Sequence, residues 1–302
     1  MNANNTNLGG SFTLPGTSIA LNRLGYGAMQ LAGEGVWGPP RDPDAAVAVL
    51  REAVALGVNH LDTSDYYGPH TTNQIIRKAL HPYRKGLVIV TKVGYRRGAD
   101  KSWLPALSPE ELTVAVHDNL RNLGLEALDV VNLRVGGSLQ PSEGSIEEPL
   151  TALAKFKQQG LIRHIGVSNV TDRQFVQAQS ITNIVCVQNL YNLAHRECDS
   201  LLDELAAKGV AFTPFFPLGG FAPLQSSALE AAAIALKATP MQIAIAWLLQ
   251  RSPNILLISG TSSVDHLREN LKAGNLHLPE QTVADLNSIA ANVARRSSQR
   301  NH

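Results

Sequence analysis

Cysteine is scarce in this chain of 302 residues, which contains only Cys186 and Cys198. The two form neither a CxxC pair nor a spacing typical of metal ligands, which argues against a disulfide framework and a structural metal site. Cys186 lies within the apolar run IVCVQN, a pattern that predicts a small core residue and not a reactive thiol. We therefore expect no bound metal, and we expect the cytoplasm to be the compartment.

An excess of charge of one sign and long hydrophobic runs are also lacking. The chain has 26 basic and 25 acidic residues, and its formal net charge of +1 leaves no positive excess to neutralise a nucleic acid backbone. Residues 1–14 contain no Lys or Arg and no apolar run of signal-peptide length. No apolar stretch approaches the roughly 20 residues of a membrane span. We expect a small molecule as the partner, no nucleic acid or membrane, and a monomer or weak homo-oligomer.

Short apolar runs of strand length recur along the chain, separated by longer segments of helical period. Such alternation indicates parallel strands, because each helical crossover returns the chain to the same end of the sheet. Eight such units close naturally into a barrel. An open doubly wound sheet ranks lower because no run is followed by GxGxxG. The predicted strands are Asn22–Ala28, Val58–Thr63, Leu87–Val93, Leu128–Arg134, His164–Ser168, Val185–Asn189, Val210–Phe216 and Ile255–Gly260.

Helix caps support this division of the chain. Asp42 caps the segment DPDAAVAVLREAVALGV, with Pro43 in its first turn and Gly57 as its stop. The predicted fold is α/β: a single (β/α)8 TIM barrel domain over residues 1–302, with the barrel proper at about residues 21–275. An N-terminal β-hairpin around Pro15 and Gly16 and a C-terminal helix complete it. Further helices are predicted for Ser108–Leu120, Ser145–Gln159, Asp199–Lys208, Pro240–Gln250 and Ser263–Ala273.

Polar side chains follow most of the predicted strands at the point where each strand ends. The active site of a (β/α)8 barrel lies at the carboxyl ends of its strands, so these side chains would converge on one mouth. Lys92 ends the third run and Asp62 the second. A buried lysine needs a charged partner, and Asp62 can supply it. The other polar ends are Asn132 and Arg134, Ser168 and Asn169, Gln188 and Asn189, and Gly260 with Thr261.

Two adjacent tyrosines follow the second run, in the segment DTSDYYG at residues 62–68. A tyrosine just beyond a strand can fold over the barrel mouth, but its ordinary pKa near 10 suits proton donation poorly. The ammonium of Lys92, fixed by Asp62, would lower that pKa by favouring the phenolate. These residues predict a general acid that protonates a carbonyl oxygen while a hydride reaches the carbon. No side chain supplies a hydride, so a nicotinamide cofactor is implied.

The segments DTSDYYG, VTKVG, IGVSN, VQNLYN, PFFPLGG and SGTSSVDHLREN resemble, in this order and spacing, the landmarks of the aldo-keto reductase superfamily. Each motif alone is weak, but six in order are specific, and the resemblance runs from about Leu21 to the final helix. Within the superfamily, RLGYGAMQLAG, VWGPPRD, DVVNLR and VQNLYNLAHR look closest to the bacterial pyridoxal reductases. The resemblance implies NADPH-dependent reduction of an aldehyde to a primary alcohol, with pyridoxal as the substrate.

The resemblance also implies a catalytic tetrad of Asp, Tyr, Lys and His. Asp62 matches the aspartate and Lys92 the lysine. Tyr67 matches the tyrosine, because the family tyrosine immediately precedes a glycine. Tyr66, the rival donor, is expected to pack against its neighbours.

The fourth position of the tetrad departs from the family pattern. Arg134 stands where His is usual, His164 lies at the wrong end of its strand, and His70, on a predicted loop, stays open as a substrate-facing group. A guanidinium cannot relay a proton. We expect Arg134 to orient the carbonyl oxygen and to lower the pKa of Tyr67 through its charge. The alternative is that Arg134 points away and pairs with an acid.

Contacts to NADPH or NADP+ are implied in the same way. Ser168, Asn169 and Gln188 should hold the nicotinamide carboxamide, and Phe215 should stack on the nicotinamide ring. The lysine or arginine common at two positions of the family is replaced by Gly260 and His266, although the first turn of the helix after Ser263 can still bind a 2′-phosphate. The remaining implied contacts are Gly27, Ala28 and Met29 after the first strand, Leu218 and Gly220 under the pyrophosphate, and Thr261, Ser262, Glu269 and Asn270 around the adenine and its ribose phosphate.

Three tryptophans occupy different predicted environments. Trp37 lies in the loop after the first strand, where a wall of the substrate site is expected. Trp103 lies in the long loop Gly94–Leu107, and Trp247, inside the helix MQIAIAWLLQ, is expected in the core. Aromatic walls suit a pyridine aldehyde.

Two other functions stay open from the sequence. One is a broad-specificity aldehyde or methylglyoxal reductase that uses the same chemistry. The other is a cofactor-binding regulatory protein, like the channel-associated members of the superfamily. Retention of Asp62, Tyr67 and Lys92 argues against a purely non-catalytic role.

Overall fold

The computed structural model describes residues 7–219 and 226–300, with side chains described up to residue 290. An antiparallel hairpin of β1 (Ser11–Thr13) and β2 (Ala20–Asn22) comes first, with its turn at Pro15 and Gly16 as predicted. Seven parallel strands then form the main sheet: β3 (Tyr26–Gly27), β4 (His60–Asp62), β5 (Val88–Val93), β8 (Leu128–Arg134), β9 (Ile162–Ser168), β10 (Ile184–Gln188) and β11 (Ala211–Phe212). Their order across the sheet is β11-β10-β9-β8-β5-β4-β3.

The eighth predicted strand closes the barrel through a few backbone contacts and is not a regular strand. Ile255 bridges Phe212 of β11, and Leu257 bridges Leu24 just before β3, both in parallel orientation. The Leu257 amide donates to the Arg23 carbonyl at 2.7 Å, and the Gly25 amide donates to the Leu257 carbonyl at 2.8 Å. The predicted (β/α)8 barrel is therefore confirmed, but its eighth strand is shorter than expected.

Helices lie on the outer side of this barrel. The predicted caps are confirmed, because Asp42 accepts from the amides of Asp44 and Ala45, and Ser108 forms a capping box with Glu111. Three helices were not anticipated, namely those at residues 71–80, 172–181 and 227–236. The ten helices of the described chain are α1 (Pro43–Ala55), α2 (Thr71–Leu80), α3 (Pro109–Leu123), α4 (Glu147–Gln158), α5 (Asp172–Ile181), α6 (Asp199–Ala207), α7 (Ser227–Leu236), α8 (Pro240–Arg251), α9 (Val264–Lys272) and α10 (Glu280–Arg300).

Alternate residues of each strand point into the barrel, which sets what reaches its mouth. On β5, Val88 and Val90 pack inside, with the two hairpin leucines Leu14 and Leu21 covering the amino end of the barrel. Cys186 of β10 belongs to the same inner cluster and is 4% exposed, as expected of a core residue. The next inward position on β5 after Val90 is Lys92, so the same alternation delivers the lysine to the carboxyl end.

A second hairpin lies in the predicted loop between Gly94 and Leu107. Strands β6 (Tyr95–Arg97) and β7 (Trp103–Pro105) pair antiparallel, with Arg97 opposite Trp103. The hairpin stands at the barrel mouth and carries Tyr95 and Trp103 toward it. The sequence contains the signal for this hairpin, since Gly98 begins a polar turn between two short runs.

Within residues 7–219 and 226–300, no single helix has both the length and the apolar character of a membrane span. The pair α7 and α8 meets that test only when joined, and the two helices are bent by 94° at their junction.

Candidate active site

A buried ion pair stands at the carboxyl ends of β4 and β5. The Lys92 ammonium donates to Asp62 Oδ1 at 2.5 Å and to the Thr63 carbonyl at 2.9 Å. Both side chains are buried, so each charge depends on the other for stabilisation. The second oxygen, Asp62 Oδ2, accepts from Gln188 Nε2 at 2.9 Å. The pairing of Asp62 with Lys92, inferred from the strand ends, is confirmed.

Tyr67 lies directly above this ion pair. The Lys92 ammonium is 5.2 Å from the centre of the Tyr67 ring, and the tyrosine is 8% exposed, through the cavity at the barrel mouth. Tyr66 packs edge-on against Tyr67, with ring centroids 5.3 Å apart, and edge-on against Trp103 at 5.7 Å. Tyr66 therefore packs among aromatic rings as expected, although it also lines the cavity.

The predicted direction of the Tyr67 pKa shift is wrong. Burial raises the pKa of Tyr67 above its ordinary value, and the nearby Asp62 carboxylate raises it further. The Arg134 guanidinium acts in the expected direction and lowers the pKa of Tyr67, but its effect is smaller than that of burial. A buried phenolate loses its hydration, which outweighs the neighbouring positive charge. Burial therefore favours the neutral phenol form of Tyr67.

Arg134 turns into the cavity and does not pair with an acid, so the outward-pointing alternative is wrong. Its guanidinium donates to Ser168 Oγ at 3.3 Å and to the carbonyls of Gly137 and Ser138 at 3.2 and 2.8 Å. The guanidinium carbon also lies 4.7 Å from the centre of the Phe215 ring. β8 pairs with β9 so that Arg134 stands opposite Ser168, and the sheet register therefore brings these residues together.

A cavity of about 800 Å³ opens at the carboxyl end of the barrel. Tyr67, Lys92 and Arg134 share its wall, so the described structure brings three of the four expected catalytic side chains to one space, with Asp62 directly beneath. Most of the other lining residues were not predicted from the sequence, because they lie on hairpin β6–β7 and on the loop after β8, away from the ends of the predicted strands. The other lining residues are Met29, Gly35, Val36, Tyr66, Tyr95, Trp103, Pro105, Gly136, Gly137, Ser138, Leu139, Ser142, Gln188, Phe215 and Phe216.

Two residues expected to face the substrate are placed elsewhere. Trp37 does not line the cavity, and its ring instead lies 5.2 Å from the guanidinium of Arg97, which also stacks on Trp103 at 4.0 Å. His70 lies in the turn before α2, as its predicted loop position implies, and its Nδ1 lies 2.6 Å from Asp65 Oδ2 outside the cavity. This hydrogen bond raises the pKa of His70. Neither residue lines the cavity in the described structure, and the expectation that they face the substrate stays a prediction.

Two buried amide oxygens near the mouth lack a partner among the described residues. Asp62 can only accept, which turns Gln188 Nε2 toward it and leaves Gln188 Oε1 unbonded. Asn169 Nδ2 likewise donates to the carbonyls of Val135, Gly137 and Gln140, which leaves Asn169 Oδ1 unbonded. Unbonded buried acceptors are costly unless a ligand completes them. Gln188 lines the cavity, so its unbonded oxygen can accept from a ligand there, such as the carboxamide of a nicotinamide.

The other residues expected to contact the cofactor lie at the seam where the barrel closes. A Cβ added at Gly27 would stand 2.4 Å from the Ile258 carbonyl oxygen, and one added at Gly260 would stand 2.6 Å from the Gly27 carbonyl oxygen, so both glycines allow close backbone approach. Ala28 is buried, and Met29 lines the cavity. Gly220 lies outside the described residues. The remaining residues expected to contact the cofactor are Leu218, half-buried; Thr261 and Asn270, buried; Ser262 and His266, exposed; and Glu269, half-buried.

Helix α9 begins directly after this seam. Ser263 caps it by accepting from the His266 amide, and the other amides of the first turn have no partner within the helix. Arg268 does not add to a phosphate site, because it ion-pairs with Glu52 of α1 at 2.8 Å. The positive charge here is therefore modest, and the helix terminus is the main feature suited to a phosphate.

Known proteins share both the sequence and the fold. The family model described as Aldo/keto reductase family matches residues 23–291. A pyridoxine 4-dehydrogenase of Escherichia coli K12 is 66% identical over 282 residues, which cover 93% of this chain and 98% of the relative. A thermostable aldo-keto reductase crystallised with the inhibitor epalrestat is 31% identical with a TM-score of 0.79, covering 92% of this chain and 99% of that one. A Klebsiella pneumoniae aldo-keto reductase crystallised with NADPH is 22% identical with a TM-score of 0.75, covering 93% and 95%.

Proposed function

The chain belongs to the aldo/keto reductase family, and we propose that it reduces pyridoxal to pyridoxine with NADPH. The observation that carries this proposal is the similarity over nearly the whole chain to a relative named pyridoxine 4-dehydrogenase. Such a dehydrogenase and a pyridoxal reductase catalyse the same reaction in opposite directions. The cavity supports the assignment, since its aromatic walls suit a planar pyridine ring.

The proton comes from Tyr67 in this account. A bound nicotinamide cofactor supplies the hydride that the side chains cannot provide. Tyr67 keeps its proton because burial raises its pKa, and its hydroxyl donates that proton to the carbonyl oxygen as negative charge develops there. The Lys92 ammonium, 5.2 Å from the ring centre, stabilises the phenolate that results.

Asp62, Lys92 and Arg134 prepare the site for that transfer. The hydrogen bonds of Asp62 to Lys92 and Gln188 fix both side chains before any ligand arrives. Arg134 acts on the phenolate from the other side of the cavity and orients the substrate oxygen. Gln188 Oε1 and Asn169 Oδ1 would hold the carboxamide of the cofactor.

The cavity also bears on the two other functions. A small aliphatic aldehyde such as methylglyoxal has no ring to pack against the aromatic walls of the cavity, whereas a substituted pyridine does. The assembled group of Tyr67, Lys92 and Asp62 favours catalysis over a regulatory role.

Steady-state oxidation of NADPH tests the proposal, with pyridoxal, methylglyoxal and benzaldehyde as substrates. We expect kcat/KM to be highest for pyridoxal, by about tenfold or more, a difference of roughly 1.4 kcal/mol in transition-state binding. Similar values across the panel would indicate a broad-specificity reductase. Absence of NADPH oxidation with every aldehyde would indicate a non-catalytic role.

A further inference from the structure

The positive charge of Arg134 has no counter-charge in the described part of the chain. Its hydrogen bonds go to a serine hydroxyl and two backbone carbonyls, all of them neutral. A guanidinium has five N–H donors, so after these three bonds some remain for a ligand. A half-buried cation bound only to neutral groups is poorly compensated for lost hydration. The site is therefore better satisfied when an anionic group is present.

The rest of the cavity does not supply that anion. Its described lining contains no Asp or Glu, and its other cation, Lys92, is already neutralised by Asp62. The charge of Arg134 thus sets the electrostatic preference of the cavity. A negatively charged group on a ligand would enter a site of matching sign, partly shielded from water.

The surroundings of Arg134 favour a flat ring beside that anion. Its guanidinium lies over the Phe215 ring at 4.7 Å, and the rings of Tyr66 and Trp103 stand on the same cavity. Arg134 is also close enough to Tyr67 to act on its hydroxyl electrostatically. A ligand whose carbonyl oxygen faces Tyr67 therefore shares the cavity with the Arg134 guanidinium.

We propose that Arg134 selects aromatic aldehydes that carry an ionised hydroxyl on the ring carbon next to the aldehyde. The guanidinium and the ring oxygen then form a charge-assisted hydrogen bond while the carbonyl oxygen faces Tyr67. This inference rests on the proposed function, because pyridoxal carries such a hydroxyl. It extends that function to a class of substrates, because the proposed contact needs only the aldehyde and the neighbouring hydroxyl and not the pyridine nitrogen or the other ring substituents.

Two aldehydes that differ only at this oxygen test the proposal. For the wild type, kcat/KM with 2-hydroxybenzaldehyde should exceed that with 2-methoxybenzaldehyde by about 10- to 100-fold, as expected for a hydrogen bond to a charged group. The ratio should rise as the pH passes through the ionisation of the hydroxyl. Arg134→Met should bring the ratio to within about threefold, and Arg134→Lys should retain part of it.

Arg97→Met is the matched control. It removes a guanidinium that stacks on Trp103 at 4.0 Å but does not itself line the cavity. Its substitution should leave the ratio between the two aldehydes unchanged, whatever it does to the absolute rates. A wild-type ratio near one, or a ratio that survives in Arg134→Met, would overturn the proposal.

A binding measurement separates this proposal from the proposed function. Pyridoxine and its 3-O-methyl ether are titrated into the NADP+ complex of the wild type and of Arg134→Met, by calorimetry. We expect the wild type to bind pyridoxine about tenfold more tightly than the ether at alkaline pH, and the variant to bind both alike. If pyridoxal is not reduced but this preference holds, the proposed function fails and the recognition by Arg134 stands. Equal affinity of the wild type for pyridoxine and its 3-O-methyl ether would refute the proposed recognition of the ring hydroxyl by Arg134.

Discussion

In the proposed reaction, the hydroxyl group of Tyr67 donates the proton to the substrate. Tyr67→Phe keeps the ring and removes the proton, so we expect kcat with pyridoxal to fall by about 10²–10⁴. The affinity for NADPH, measured by fluorescence titration, should change little. Tyr66→Phe is the matched control, because Tyr66 lines the same cavity but packs among aromatic rings. Tyr66→Phe should keep most of the activity. Loss of activity in Tyr66→Phe, with activity kept in Tyr67→Phe, would make Tyr66 the donor.

The raised pKa of Tyr67 has a consequence for the pH dependence of the reaction. Burial keeps the phenol protonated well into alkaline pH, and the donor is active in its protonated form. With 2-methoxybenzaldehyde, which does not ionise, we expect kcat to vary by no more than about twofold between pH 6 and 9. Arg134→Met removes a positive charge that lowers this pKa, so its profile should also stay flat.

An alkaline fall in kcat with a midpoint below about pH 8 would contradict this account. Such a fall would mean that the phenolate is more stable in this site than burial allows. The profile is measured with saturating NADPH, so that changes in cofactor affinity do not enter.

The sequence allowed single residues to be placed at the barrel mouth where they lie at the end of a predicted strand. Inward-facing residues at the carboxyl ends of parallel strands meet at one mouth of a barrel. Four residues of the site lie at such positions, namely Asp62, Lys92, Arg134 and Gln188. The sign of the Tyr67 pKa shift could not be read this way, because it depends on the depth of burial. The contacts of Trp37 with Arg97 and of His70 with Asp65 could not be predicted either, because each residue lies on a connection whose path follows from tertiary packing.

At the scale of elements, the seam between β3 and the segment at residues 255–260 closes the barrel. Gly27→Ala would place a methyl group 2.4 Å from the Ile258 carbonyl oxygen, where the backbone has to move. We expect a loss of about 1–3 kcal/mol in the free energy of unfolding, measured in urea. Gly137→Ala is the control, since its added Cβ meets nothing closer than 3.4 Å. Equal stability of Gly27→Ala and wild type would show that the seam is not tightly closed.

The first turn of α9 bears on the choice between NADPH and NADH. We expect the wild type to prefer NADPH in kcat/KM, because the helix terminus can bind a 2′-phosphate. His266→Arg should increase that preference by roughly 5- to 10-fold through a charge-assisted hydrogen bond. Arg268→Gln is the control and should leave the preference unchanged, because Arg268 is paired with Glu52. Equal kcat/KM for both cofactors in the wild type would refute this prediction.

Elements with strong local signals were predictable, and the others were not. Asp42 and Ser108 marked the starts of α1 and α3 because their caps satisfy orphan amides locally. Helices α2 and α5 were overlooked because their sequences TTNQIIRKAL and DRQFVQAQSI are mostly polar, although Thr171 and Gln174 offered a capping box before α5. The eighth strand was overestimated, because the apolar run LLISG fits a buried segment as well as a regular strand.

For the molecule as a whole, the barrel followed from the alternation of strand and helix, and its site followed from the barrel. The hairpin β1–β2 covers the amino end with Leu14 and Leu21, which leaves the carboxyl end open as the mouth. The substrate itself could not be derived from the barrel, since many chemistries share this architecture. The cavity limits the choice of substrate further, because its Arg134 guanidinium has no counter-charge in the described structure and favours a ligand with an anionic group.

The fate of the hydride tests the central claim most directly. The protein is incubated with pyridoxal and with NADPH that carries deuterium at both C4 hydrogens of the nicotinamide, and the product is analysed by mass spectrometry. We predict pyridoxine with one deuterium per molecule, located on the carbon of the new hydroxymethyl group. Tyr67→Phe should form the same labelled product about 10²–10⁴ times more slowly. Absence of pyridoxine, or pyridoxine without deuterium, would contradict the account.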